Sequence, residues 1–225
     1  MPNWCYSNID IIGDRDELQS FVDATKVVAE DGVVHHGLNH LFPIPAELQA
    51  TPSAWYGDAE EQAKQTALEE AMFAKYGYRN WYDWACDDKN WSTKWGACDF
   101  EWTSFDMDDN YIVGPTEPYI SAKYQSAWGP ADGLIRNISA KFPKLIFTVV
   151  STEESDAFVC YSIFRNGLLE AEGGEEPVQP KELEELYEKD PDAFYEQLGD
   201  WQCEYQDKWS NECDKALSGL MSSQN

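Results

Sequence analysis

Five carboxylates recur down one stretch of this 225-residue chain: Asp192, Glu196, Asp200, Glu204 and Asp207, at steps of four, four, four and three. On a helix these residues share one face, and four residues rise about 6 Å. That is the same order as the charge spacing along a nucleic-acid strand. A rigid row of this kind can imitate a phosphate backbone and occupy the Lys/Arg groove of a protein that handles DNA or RNA. It would attract such a partner over long range, with a salt-dependent affinity. The plainer account is the solvated side of an amphipathic helix. The near absence of Lys or Arg along the row favours the mimic, because a face serving only solubility mixes signs for i,i+4 pairs. Glu182 and Glu185 just upstream, and Asp106, Asp108 and Asp109 in an acidic turn, complete the candidate partner-binding surface.

Other constellations promise less. His36 and His40 stand four apart, a helical metal spacing, but Gly37 and Asn39 intervene and a proline-broken segment follows. Asp106, Asp108, Asn110 and Glu117 fall at positions 1, 3, 5 and 12 of an EF-hand loop. Position 6 needs glycine for its sharp turn and holds Tyr111, and the flanks read as strands, so an acidic hairpin tip is expected. No GxxxxGK[ST], GxGxxG or GxSxG pattern occurs. The expectation is a protein without catalytic residues, metal or cofactor.

Sixteen basic residues against forty-two acidic give a net charge of −26. No basic patch marks a nucleic-acid binder, and an anionic membrane would repel the chain. Basic proteins or cations are the natural partners. No apolar run reaches transmembrane length, and the first residues show neither the basic nor the apolar region of an export signal. The six cysteines form no CxxC pair, so a cytoplasmic setting with reduced thiols is expected.

These side chains need a scaffold. Residues 8–13 alternate and are β-branched, reading as a strand. Leu18, Phe21, Val22, Thr25 and Val28 share one helical face. A strand is expected near 38–42, a helix over 58–76 stopped by Gly77, and a second helix from the Asn80 cap to about Lys89. Segments 97–105 and 119–128 read as strands, and a helix lies between Pro130 and Pro143. Two more strands follow, then closing loops around 166–177 and a short helix over 180–189. Asp190 and Pro191 open a last helix, whose Phe194, Leu198, Trp201, Tyr205, Trp209, Cys213, Ala216 and Leu220 form one apolar stripe. Trp81, Trp84, Trp91 and Trp95 sit near multiples of a helical turn, with Trp102 on the next strand. Core packing accounts for most of them, and a minority can anchor an interface.

The order predicts an α+β fold. It is a ferredoxin-like (split βαβ), mainly antiparallel sheet with inserted helices on one face. Residues 1–167 would form that domain, with a Trp-rich helical insertion at about 58–95, and 168–225 an acidic C-terminal helical extension.

Four segments in order, "MPNWCYSN", "HLFPIPAEL", "WYDWACDDKNWSTKWGACD" and "AWGPADGLIRNISAKFPKLIF", make the chain resemble the YubB-like family of phage and plasmid proteins. The carrying positions are Trp4 and Cys5, Pro43 and Pro45, Trp91 with Lys94, Trp95 and Gly96, and Trp128 with Pro130. Ser92 stands where that family usually has glycine. The resemblance covers roughly residues 1–167 and implies a ferredoxin-like domain from a mobile genetic element in bacterial cytoplasm. It supplies no catalytic residues.

Charge and setting together lead to one expectation, a non-enzymatic inhibitor that binds a basic, nucleic-acid-handling host protein. An anti-CRISPR or anti-restriction protein would be the concrete version. The rival is an assembly module that uses its aromatic surface, with charge serving solubility. It predicts self-association and no competition with DNA.

Overall fold

The computed structural model describes residues 2–54, 57–104 and 118–223, the side chain of residue 184 excepted. The chain runs β1 (Trp4–Ile12), α1 (Arg15–Ala24), β2 (Lys26–Val28), β3 (Val34–His36), a 3-10 turn (Asn39–Leu41), α2 (Ala46–Gln49), α3 (Ala59–Tyr76), α4 (Trp81–Cys86), β4 (Cys98–Trp102) and β5 (Tyr119–Ala127). It continues through α5 (Asp132–Lys141), β6 (Ile146–Glu153), β7 (Val159–Arg165), β8 (Leu168–Glu175), α6 (Lys181–Lys189) and α7 (Pro191–Ser222). This is a mixed α+β architecture. Six strands form one sheet in the order β4-β5-β1-β6-β7-β8, and each described neighbour pair is antiparallel. β2 and β3 make a separate small hairpin.

The alternation of β1 sets two faces, since successive strand side chains point opposite ways. Cys5, Ser7, Ile9 and Ile11 are all buried, and Ile9 lies opposite Ala122 on one side and Val149 on the other. On this face Ile9 and Ile11 share a core with Leu18, Phe21 and Val22 of α1 and Leu134, Ile135 and Ile138 of α5. The tryptophan-rich segment closes the same core through Trp84 and Trp91. On the opposite face Val150 and Ile163 meet Cys213 of α7, with Trp209, Ala216 and Leu220 packed around them.

The helices are therefore not confined to one face. α7 covers the second face because its stripe has the right period and the even positions of β6 supply a partner surface. Other expectations shift locally. β1 begins at Trp4, four residues before the alternating run at 8–13, because Trp4 already pairs with Ala127 of β5. α1 stops at Ala24 rather than near Val28. There the buried Thr25 hydroxyl donates to the Val22 carbonyl at 2.7 Å, and the chain turns into the hairpin. The strand expected near 38–42 is a 3-10 turn, since Pro43 and Pro45 follow too closely for ladder pairing. α4 ends at Cys86, short of Lys89. The region expected as closing loops contains β8, so the sheet continues past residue 167.

α3 follows its cap chemistry. The backbone N–H groups of Glu60 and Glu61 donate to the Asp58 carboxylate, and the Glu61 side chain accepts from the Asp58 N–H at 3.0 Å. At its far end Gly77 takes the left-handed conformation, φ 79°.

Candidate functional site

α7 is set by its first turn and by its stripe. The Ala193 N–H donates to the Asp190 carboxylate at 3.2 Å, and Pro191 occupies the first helical position. Towards the C-terminus Trp209 lies on Tyr161 of β7, ring centroids 6.1 Å apart, and its Nε1 donates to Glu175 of β8 at 3.3 Å. Gln202 donates to Asp156, in the turn between β6 and β7, at 2.8 Å. The N-terminal part rests on α6 instead, where the Phe194 ring meets Tyr187 edge-on at 5.0 Å.

With the stripe turned inward, the carboxylates face out. Asp192, Glu196, Asp200, Glu204 and Asp207 are all exposed. Among the described residues none of their side chains makes an ion pair or a hydrogen bond. At about 1.5 Å per residue the row is about 22 Å long, and at about 100° per residue it winds through about 120° of the helix surface. Lys208 lies beside the row, but its ammonium is drawn to Glu175, and it also sits over the Tyr205 and Trp209 rings. Glu182 and Glu185 are exposed on α6, and Glu185 pairs with Lys189 at 3.2 Å. Asp106, Asp108 and Asp109, and with them the EF-hand-like spacing, lie outside the described residues.

The two histidines are engaged separately. His36 Nδ1 is 2.8 Å from the Thr25 hydroxyl, and burial holds its ring below the usual histidine range. His40 Nε2 bonds the Ala24 carbonyl at 2.7 Å. Among the described residues no three His, Cys, Asp or Glu side chains are arranged to hold a metal. All six cysteines are free thiols. Burial pushes Cys5 up to about 11, and Cys160 and Cys213 up to about 12, so these three stay protonated and unreactive.

Two features escape the sequence pattern. The first is an aromatic stack at one end of the sheet. Trp4 meets Trp95 at 5.9 Å, Trp95 stacks on Trp128 at 6.4 Å, and Lys94 Nζ lies 4.6 Å from the Trp95 centroid. Trp128 is half exposed and adopts φ 64°, a left-handed backbone that bulky residues avoid. The second is Asp132, which opens α5. Its Oδ2 accepts from the Ser162 hydroxyl at 3.0 Å, while Oδ1 is buried with no partner among the described residues. Burial pushes this carboxyl up to about 6. Only "PADG" ahead of an apolar-periodic run marks it in the sequence, and that reads as a helix start.

No family model matches the chain, and no curated protein does. Among solved structures, the crystal structure of protein api92 from Yersinia pseudotuberculosis, family DUF1281, aligns with 80% of this chain and 100% of its own. The sequence identity is 10% and the TM-score 0.44. Among the described residues no helix is long and apolar enough to cross a membrane.

Proposed function

We propose that this chain is a non-enzymatic protein inhibitor that seats the α7 carboxylate row in the cationic groove of a nucleic-acid-handling protein. The observation that carries the reading is the row itself, five exposed carboxylates, unpaired among the described residues, on a helix whose other face is anchored. Anchoring matters because a row held in place loses little conformational freedom when a partner docks. The net charge of −26 adds long-range attraction for a basic partner.

The finer fold reading belongs here too. β1–α1–β4 and β5–α5–β6 each join two strands that flank one antiparallel neighbour. This order supports a split βαβ, ferredoxin-like core, extended by β7 and β8 and followed by α6 and α7 as the acidic helical extension. Ser92 lends support to the YubB-like resemblance: its φ of 64° is a glycine conformation, at the position where that family usually has glycine. With the resemblance comes the setting, a mobile element in bacterial cytoplasm and a defence protein as target.

The test is capture of partners from bacterial lysate by the immobilised full chain at low and at high salt, with duplex DNA as competitor. Captured proteins are expected to be basic and nucleic-acid-binding, and to release as salt rises or DNA is added. Glu196→Gln, Asp200→Asn, Glu204→Gln and Asp207→Asn together should abolish capture. Capture that is indifferent to salt and to these substitutions overturns the reading and favours the aromatic assembly module.

A further inference from the structure

A cleft of about 390 Å³ opens between α5, β8 and the segment joining α4 to β4. Three carboxylates line it, Asp88, Asp132 and Glu172, against one cation, Arg136. The Arg136 guanidinium donates to the backbone carbonyl of Asp88, so its hydrogen bond there goes to the main chain rather than to a carboxylate. Phe164, Leu169 and Pro130 supply an apolar wall.

The walls are held firmly. Asn137 Nδ2 donates to the carbonyls of Lys89 at 2.8 Å and Asn90 at 3.1 Å, tying the Asp88 segment to α5. The Gly133 N–H donates to the Ser92 hydroxyl at 2.9 Å, and a Cβ at Gly133 would sit 2.7 Å from the carbonyl oxygens of Asp88 and Asn90. The site is thus built by close backbone approach. Asp132 lines it half satisfied: one oxygen accepts from Ser162, and the other is buried and unpartnered among the described residues. An ionised carboxylate so placed is costly until a cation arrives.

We infer that this cleft takes an arginine side chain presented by a basic partner protein. A guanidinium offers several donors in a planar fork, enough to engage Glu172 and Asp88 while its charge offsets that of the buried Asp132 beside them. Its aliphatic stem would run along Phe164 and Leu169. The inference rests on the reading of this chain as a binder of basic proteins, and it adds an anchor point away from α7. Protonation of Asp132 would weaken the site. The groups that face it are Ser162 and Cys160 from β7, Glu172 from β8, Arg136 from α5, Asp88 from the joining segment, Tyr124 from β5 and Cys5 from β1, the two thiols and the phenol all held protonated by burial.

The test titrates N-acetyl-arginine-amide into the isotope-labelled full chain and follows backbone amide shifts. Saturating shifts are expected around Asp132 and Glu172, with a Kd on the order of 1 mM for so small a probe. The uncharged isostere N-acetyl-citrulline-amide should leave those amides unmoved. Asp132→Asn and Glu172→Gln should each weaken binding about tenfold. Binding should also fall between about pH 7 and about pH 5 as Asp132 takes up its proton. The fourfold α7 variant should bind the probe like the parent. Equal shifts with citrulline, unchanged affinity in both cleft variants, or shifts confined to α7 overturn the inference. Lysate capture by α7 would survive that outcome, so the two readings fail separately.

Discussion

At the first turn of α5, Asp132 keeps one carboxylate oxygen on the Ser162 hydroxyl and leaves the other without a donor among the described residues. Burial is the first cause of its raised pKa, the Ser162 bond opposes it, and the charges of Glu172 and Asp88 add to it. The folded chain therefore binds this proton more tightly than the unfolded chain, where the group returns to about 3.8. Below that value both states are protonated and no penalty exists. As pH rises from about 3.8 to about 6 the unfolded chain releases this proton while the folded chain still holds it, and stability falls; above about 6 the folded chain carries the buried charge and the loss is complete. The shift corresponds to about 3 kcal/mol lost by neutral pH. Asp132→Asn should remove that loss. We expect the variant to be more stable than the parent by about 1–3 kcal/mol at neutral pH, with the difference vanishing near pH 4. Urea unfolding midpoints across this range measure it. An equal pH slope in both chains would place the dependence elsewhere.

At the scale of elements, α7 joins a packed stripe to an exposed acidic face. Trp209 is the point where both meet the sheet, through the Tyr161 ring and the Glu175 carboxylate. Trp209→Ala should destabilise the chain by about 2–4 kcal/mol in urea unfolding, while Trp209→Phe, which keeps a ring on Tyr161, should cost roughly half as much. Losses below about 0.5 kcal/mol in both would mean that the stripe is not an anchor. Elements with strong local rules are legible in the sequence. α3 announces itself by its run of Ala, Glu and Lys and its terminal glycine, and α7 by Asp190, Pro191 and a long apolar stripe. β8 is hidden because it departs from strand composition. Gly173 is there for fit, since a Cβ would come within 2.6 Å of the Tyr161 ring and 3.3 Å of Trp209. Gly174 is equally crowded, by Cys160 and the Val159 carbonyl at 2.7 Å. Those glycines read locally as a turn, and the reason for them lies in strands and a helix distant in sequence. The arginine cleft is illegible for the same cause. Asp88, Asp132, Ser162 and Glu172 meet only after the sheet and α5 are assembled, whereas the α7 row lies within one helix and shows in the spacing alone.

At the scale of the whole molecule, forty-two acidic side chains share one surface with sixteen basic ones. Nine described ion pairs use part of the cationic complement, and most of these are surface pairs of small worth. Self-repulsion therefore opposes folding most strongly where counterions are scarce. Raising sodium chloride from about 20 mM to about 300 mM should raise the melting temperature, by about 2–4 °C for each kcal/mol of repulsion screened. A melting temperature that falls over this range would mean that attractive pairs outweigh the excess charge. Such salt sensitivity is separate from that of partner binding, because added salt steadies the fold while it weakens the complex.

Among the described residues the strand order leaves β4 and β8 as the outermost strands. Sheet edges can recruit further chains into a growing sheet unless something blunts them. β4 is only five residues long, and a register shift interrupts its pairing between Cys98 and Glu101. β8 carries Glu170, Glu172 and Glu175 along its length, with two adjacent glycines near its end. Glu170 and Glu175 are already held by Arg165 and Lys208, so a second copy of β8 would meet occupied carboxylates and the charge of Glu172. The irregularity that conceals this strand in the sequence also makes it a poor template for polymerisation.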